Sequence, residues 1–296
     1  MEDTETFTNL IQLLRNDNHF PKLAELDLRF IEEMSGRQWE NIVLGMKDRI
    51  KSFSLAAFNT SSTMMFSQIM TNHWSHTLET LKIEPDNITS EDIQRILTSC
   101  AKLKKFYCLC PWLIMTIRTL RNNQEIPGLK TIVRGDSTTR NDEMPDWVCL
   151  DLEELKLTFS DARSITAEEP ALLQQELWTA QGIKRVYQQL GRLSKLEELT
   201  IGWCSDSTFS QRANLDMTLN SGLDQMKGLK SMKMIDISFI AKVNSGMQEA
   251  EWMLENWPSL RSISGLSYRY RKRDWTLQTP DYINFLRSER RTLIVT

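Results

Sequence analysis

The sequence predicts an α/β leucine-rich-repeat solenoid, a horseshoe with parallel strands on its concave face and helices on its convex face. Three observations predict it: a recurring apolar frame, the length of its period, and helical spacing between its copies. The frame Leu-x-x-Leu-x-Leu stands complete at Leu23, Leu26, Leu28 and at Leu152, Leu155, Leu157. Isoleucine closes it at Leu78, Leu81, Ile83 and at Leu196, Leu199, Ile201. Looser copies are Ile50, Phe53, Leu55; Leu103, Phe106, Cys108; Leu229, Met232, Met234; Leu129, Ile132; and Leu260, Ile263. Successive copies start 27, 28, 25, 26, 23, 44, 33 and 31 residues apart. A period of about 20 to 29 residues belongs to leucine-rich repeats, and the two-residue apolar spacing inside each copy is that of a short strand.

Each element follows in order. Residues 1–22 hold an amphipathic stretch over 5–15 (Phe7, Leu10, Ile11, Leu14), which predicts a capping helix for the exposed first repeat. Residues 23–266 form a solenoid of about nine repeats. Between its strands, apolar residues three and four apart predict helices over Trp39–Met46, Met64–Trp74, 90–102, Pro111–Leu120, Pro170–Leu193 and Gln248–Trp257. In the third of these, Thr89 precedes a stripe of Ile93, Ile96, Leu97 and Cys100; in the fifth, Pro170 suits a first turn and Val186, Tyr187 and Leu190 supply a buried face. Cys100, Cys149, Leu193, Met226 and Trp257 each stand three places before a copy, the position of a last buried residue ahead of the strand. Polar segments at 137–146, 160–169 and 205–214 read as insertions. Residues 267–296 form a basic segment and cap, with a helix from Pro280 through Leu286 and a closing strand at Leu293–Val295.

Composition narrows the function classes. With 41% hydrophobic and 25% charged residues the chain can build a large core, and a net charge of −3 supplies no global pull toward nucleic acid or anionic lipid. Five cysteines without paired CxxC spacing read as free thiols in a reducing compartment, cytoplasm or nucleus. Glu2, Asp3 and Glu5 do not suit a secretory leader, and the apolar run Leu109–Ile117 is too short for a membrane span. His73 and His76 lie three apart but have no further ligand at a suitable offset, so no metal or cofactor is expected. No nucleophile and base stand in a catalytic frame, and an enzyme is the least supported class.

The informative surface is the strand face. The two residues flanking the middle apolar position of each copy point away from the core. This assigns Glu25, Asp27, Lys82, Lys105, Tyr107, Glu154, Lys156, Glu198, Thr200 and Lys233 to a partner-binding concave face. Near the other end, Arg269, Arg271, Lys272 and Arg273 alternate with aromatics in YRYRKRDW, a composition that can grip nucleic acid but more often forms a solvated edge or protein-docking patch.

Four stretches carry a resemblance: WVCLDLEELKLTF (147–159), VYQQLGRLSKLEELTIG (186–202), LDMTLNSGLDQMKGLKSMKM (215–234) and AEWMLENWPSLRSISGL (250–266). They resemble the fungal F-box-associated leucine-rich-repeat proteins. That likeness implies a repeat domain presenting substrates to an SCF-type ubiquitin ligase, docked through an F-box to a Skp1-type adaptor. Only 22 residues precede the first copy, too few for the F-box unit, so an adaptor is expected only if an F-box is supplied elsewhere. The expectation is therefore a protein-binding scaffold. Two alternatives stay open: a regulator without F-box that binds and blocks a partner, and a nucleic-acid binder acting through the basic end.

Overall fold

Nine strands succeed one another in chain order within a single sheet, every neighbouring pair parallel: β1 (Glu25–Arg29), β2 (Ser52–Ala56), β3 (Thr80–Glu84), β4 (Lys105–Cys108), β5 (Glu154–Leu157), β6 (Glu198–Ile201), β7 (Met234–Asp236), β8 (Ser262–Ser264) and β9 (Ile294–Val295). The computed structural model describes residues 22–29, 36–46, 48–56, 63–84, 90–108, 145–157, 180–201, 217–238, 245–266 and 280–296. Among the described residues six helices lie between strands: α1 (Gly36–Gly45), α2 (Thr63–Trp74), α3 (Ser90–Ser99), α4 (Ala180–Gly191), α5 (Met247–Asn256) and α6 (Asp281–Glu289). Two 3-10 turns, Leu219–Ser221 and Leu223–Gly228, lie between β6 and β7. Helix α1 packs on α2, α2 on α3, α4 on the second 3-10 turn, and α5 on α6, so the convex layer also follows chain order. This is the leucine-rich-repeat solenoid that the frame predicts.

The register shows why the frame works. Leu26, Phe53, Leu81, Phe106, Leu155, Leu199, Ile235, Ile263 and Val295 are aligned across the sheet as one row. All but Leu26 are buried, together with Leu28, Leu55, Ile83, Cys108, Leu157, Ile201 and Ile237 two places on. Each side chain stacks on its counterpart a rung away, about 4.8 Å along the sheet, so the apolar core is continuous although no repeat could bury its own face alone.

A second row sets the rungs. The carbonyl of the residue before each of β1 to β7 accepts from two successive N–H groups of the next rung. Lys51 receives Glu79 and Thr80 at 2.7 and 2.9 Å, and Glu197 receives Lys233 and Met234 at 2.7 and 3.0 Å. The pattern runs through Ala24, Lys51, Glu79, Lys104, Glu153, Glu197 and Lys233. Their side chains pair along it: Glu79 lies 3.6 Å from Lys51 and 2.7 Å from Lys104, and Glu197 lies 2.7 Å from Lys233.

One strand assignment changes. Strand β4 pairs directly with β5, and the copy at Leu129 and Ile132 lies outside the described residues. The copy at Leu229 is displaced by three residues. Its strand places Met232, Ile235 and Ile237 in the core, whereas Met234 is only half-buried. The sequence fits both frames, and the two β-branched residues favour the strand that forms. The closing strand expected at Leu293–Val295 is present as β9.

Helix positions agree where they are described. Ile93, Ile96, Leu97 and Cys100 are buried along α3, Val186, Tyr187 and Leu190 along α4, and Tyr282, Ile283 and Leu286 along α6. The expected helices over 5–15 and Pro111–Leu120, the insertions at 160–169 and 205–214, most of the one at 137–146, and the start of the 170–193 helix lie outside the described residues. The chain re-enters at 145–149 through a polar clamp. Fully buried Gln189 of α4 accepts from the Trp147 N–H at 3.0 Å and donates to Asp146 at 2.8 Å, while Arg192 and Arg185 meet the same Asp146 oxygen at 2.8 and 3.1 Å. Gly191 is required by contact: a Cβ there would stand 2.0 Å from the Gln225 carbonyl oxygen where α4 meets the second 3-10 turn.

Candidate interaction surface

Strand parity leaves one face of the sheet to side chains flanking the buried row. On the N-terminal side of that row stand Glu25, Ser52, Thr80, Lys105, Glu154, Glu198, Met234, Ser262 and Ile294; on the other stand Asp27, Ser54, Lys82, Tyr107, Lys156, Thr200, Asp236 and Ser264. Of the residues assigned to this face from sequence, Glu25, Asp27, Lys82, Lys105, Tyr107, Glu154, Lys156 and Glu198 occupy it.

Two of the assigned residues behave differently. Lys233 is not on the concave face. It belongs to the row before the strands, where its Nζ meets Glu197 at 2.7 Å, because the true frame of β7 starts three residues later than the one read from sequence. Thr200 is on the face but only 3% exposed. Its short side chain is flanked in register by Lys156 and Asp236, longer residues on adjacent rungs. The same frame shift brings in Met234 and Asp236. The signal that marks them is the run Ile235-Asp236-Ile237, alternating like a half-buried strand.

The centre of the face, over β4 and β5, is internally bonded. Lys105 donates to one carboxylate oxygen of Glu154 and the Tyr107 hydroxyl donates to the other. The Lys156 ammonium lies 5.2 Å from the centroid of the Tyr107 ring, within cation–π range. Partial burial works to raise the Glu154 carboxyl, but the hydrogen bonds from Lys105 and Tyr107 prevail and hold it below its usual range. Burial, then the Glu154 hydrogen bond, push the Tyr107 hydroxyl up. The bond to Glu154 likewise raises Lys105.

Farther along, over β6 and β7, Glu198 stands in register with Glu154 on one side and Met234 on the other. Where Glu154 has Lys105 as neighbour, Glu198 has a thioether. Asp236 turns one carboxylate oxygen to the Ser238 N–H at 2.9 Å and to the Ser238 hydroxyl at 2.6 Å. At the far edge Ile294 is 61% exposed.

Other candidate chemistry finds little support. His76 contacts Asp48 rather than His73, and among the described residues no three His, Cys, Asp or Glu side chains cluster as metal ligands. Burial pushes the Cys100 and Cys149 thiols up to about 12, as suits small core residues rather than nucleophiles. The basic residues Arg269, Arg271, Lys272 and Arg273 lie outside the described residues. Among the described residues no helix is long and apolar enough to cross a membrane.

No family model matches this sequence, and no curated protein matches it. Several solved structures are similar to it, among them two of distant sequence. The yeast Rad7–Elc1 complex structure aligns with 16% identity and a TM-score of 0.38 over 90% of this chain and 70% of that one. The tropomodulin C-terminal domain of Caenorhabditis elegans aligns with 13% identity and a TM-score of 0.35 over 76% of this chain and 92% of that one. Likenesses so distant carry no weight here, and the solenoid rests on this chain's own strand register.

Proposed function

We propose that the chain is a non-enzymatic scaffold that binds a protein partner on its concave face inside the cell. The observation that carries this reading is the patch over β4 and β5. There an aromatic ring, two lysines and a carboxylate are held in fixed orientations on a rigid sheet, with the side chains only part-covered. Pre-ordered aromatic and charged groups lose little conformational entropy on binding, which is how recognition surfaces gain affinity. The finer reading is a substrate-recognition module of an SCF-type ubiquitin ligase, supported by the F-box-family resemblance of the stretches from 147 to 266. A regulator that occupies and blocks its partner uses the same face without an adaptor.

The test is affinity purification of the tagged chain beside a Tyr107→Ala/Lys156→Glu double variant, with mass spectrometry of what each retains. A partner held by the wild type and lost from a folded variant supports the concave-face reading. A partner held equally by both overturns it. A Skp1-type adaptor among the retained proteins favours the ligase receptor, and a partner without adaptor favours the blocking regulator.

A further inference from the structure

We infer that Arg287 keeps the C-terminal edge of the sheet closed to a second copy of this chain, and that its loss turns β9 into a pairing edge. The inference stands apart from whatever the concave face binds.

An edge strand is a template: its outward N–H and C=O groups can take up a strand of another chain, and an exposed apolar side chain beside them favours this. Strand β9 ends the sheet, pairs among the described residues with β8 alone, and carries Ile294 at 61% exposure. Its parity fixes which groups look out. The Ile294 N–H donates to Arg261 at 2.9 Å and the Thr296 N–H to Ile263 at 3.0 Å, while the Thr296 carbonyl accepts from Gly265 at 2.7 Å. Alternate residues of a strand direct their backbone groups to opposite sides, so Val295 turns its N–H and C=O away from β8.

That outward carbonyl is taken. Arg287, in the last turn of α6, donates from Nη2 to the Val295 oxygen at 2.7 Å. Because β9 has only two residues, Val295 offers its one outward acceptor, and a single guanidinium closes it. A second arginine three places on sets the position of the first. Arg290 donates to the Trp257, Leu260 and Leu254 carbonyls at 3.0, 3.1 and 3.0 Å, fastening the end of α6 to that of α5. The two arginines divide their tasks. Arg290 reaches inward to the preceding repeat, whereas Arg287, exposed to solvent, bonds the edge.

The geometry selects a second copy as the excluded occupant. Around a two-fold axis, Val295 of each copy can face the other antiparallel and exchange both N–H···O bonds, the closely spaced pair of such a ladder. Ile294 then lies opposite Thr296 of the second copy. The edge is self-complementary, and the guanidinium on its acceptor stands in the way.

The experiment is sedimentation velocity on the full chain over a concentration series. Arg287→Met keeps the apolar stem and removes the donors. It should self-associate reversibly and at least about tenfold more tightly than wild type. Arg287→Lys, which keeps a charged donor, should stay single at the same concentrations, as should wild type. Ile294→Lys added to Arg287→Met should return it to a single copy, because a lysine blunts a pairing edge. Arg291→Met, which loses the same charge nearby, should behave as wild type. Thermal melts followed by circular dichroism report folding. An Arg287→Met chain no more associated than wild type overturns the inference, and so does association that Ile294→Lys leaves intact, since the contact then lies elsewhere. A wild type already paired through this edge overturns it as well. So does an Arg287→Met chain that no longer melts cooperatively, for Arg287 would then hold the cap together rather than shield it.

Discussion

Two adjacent parts of one face treat the same residue type in opposite ways. Over β4 and β5, Glu154 is enclosed by Lys105 and Tyr107; over β6 and β7, its in-register neighbour Glu198 has no ion pair among the described residues. The backbone is the same in both places, with the same parallel pairing and the same buried row beneath. The difference comes from one neighbouring position, lysine before Glu154 and methionine after Glu198. A solenoid thus separates tasks that most folds entangle: inward residues hold the rungs, and outward ones can change rung by rung without disturbing the stack. The first patch is complete in itself and suits shape-specific contact. The second lacks a lysine in register with Glu198 on either neighbouring rung.

The largest expected effect tests what the two parts share. Leu155→Ala beneath the first patch and Leu199→Ala beneath the second should each cost about 2 to 5 kcal/mol, because each leaves a cavity in a stacked core with little room to collapse. Both residues are fully buried. Urea denaturation of the two variants checks this. A neutral result for one and not the other would mean that the rungs are not equivalent.

The next effect separates them. Glu154→Gln removes the charge from two hydrogen bonds on a partly covered site and should cost about 1 kcal/mol, whereas Glu198→Gln should stay within about 0.5 kcal/mol of wild type. The direction with pH follows from the depressed Glu154 carboxyl. A carboxyl held below its unfolded value, here the ordinary 4.5, adds stability above that value and loses it as the pH falls through the folded one. The gap in melting temperature between wild type and Glu154→Gln should therefore be open near neutrality and close progressively as the pH drops below 4.5. Glu79, depressed first by its bond to Lys104, adds a loss of the same sign in both proteins. Tyr107 runs the other way: its raised hydroxyl favours the fold below the ordinary 10.0, and that contribution fades as the pH climbs through the raised value. A gap that stays constant in acid would remove the Lys105–Glu154–Tyr107 cluster as its cause.

How much of this was legible in the sequence follows the same division. The first six described rungs and β8 could be read from leucine spacing, because burial in a stacked sheet imposes a period on apolar residues and little else does. The displaced frame of β7 could not be settled by spacing alone: Leu229, Met232, Met234, Ile235 and Ile237 satisfy two registers at once. That ambiguity cost Met234 and Asp236 their place on the face and gave Lys233 one it does not hold. Register across the sheet is a long-range property, fixed by which carbonyl the strand meets on the neighbouring rung. The burial of Thr200 was hidden for another reason. Parity gives its direction correctly, but its burial depends on the lengths of Lys156 and Asp236 on other strands, which no local pattern records.

The smallest expected effect would convert one region into the other. Met234→Lys places an ammonium beside Glu198, in the register that Lys105 holds beside Glu154. An exposed ion pair of this kind contributes about 0.2 to 1 kcal/mol, and here the gain is offset in part by the apolar contact that Met234 makes. Stability should therefore rise by no more than a few tenths of a kcal/mol. The informative readout is salt dependence: urea denaturation of Met234→Lys beside wild type should show the gain at low ionic strength and lose it at high. A difference that does not respond to salt would make the contrast between the two regions one of packing rather than of missing charge.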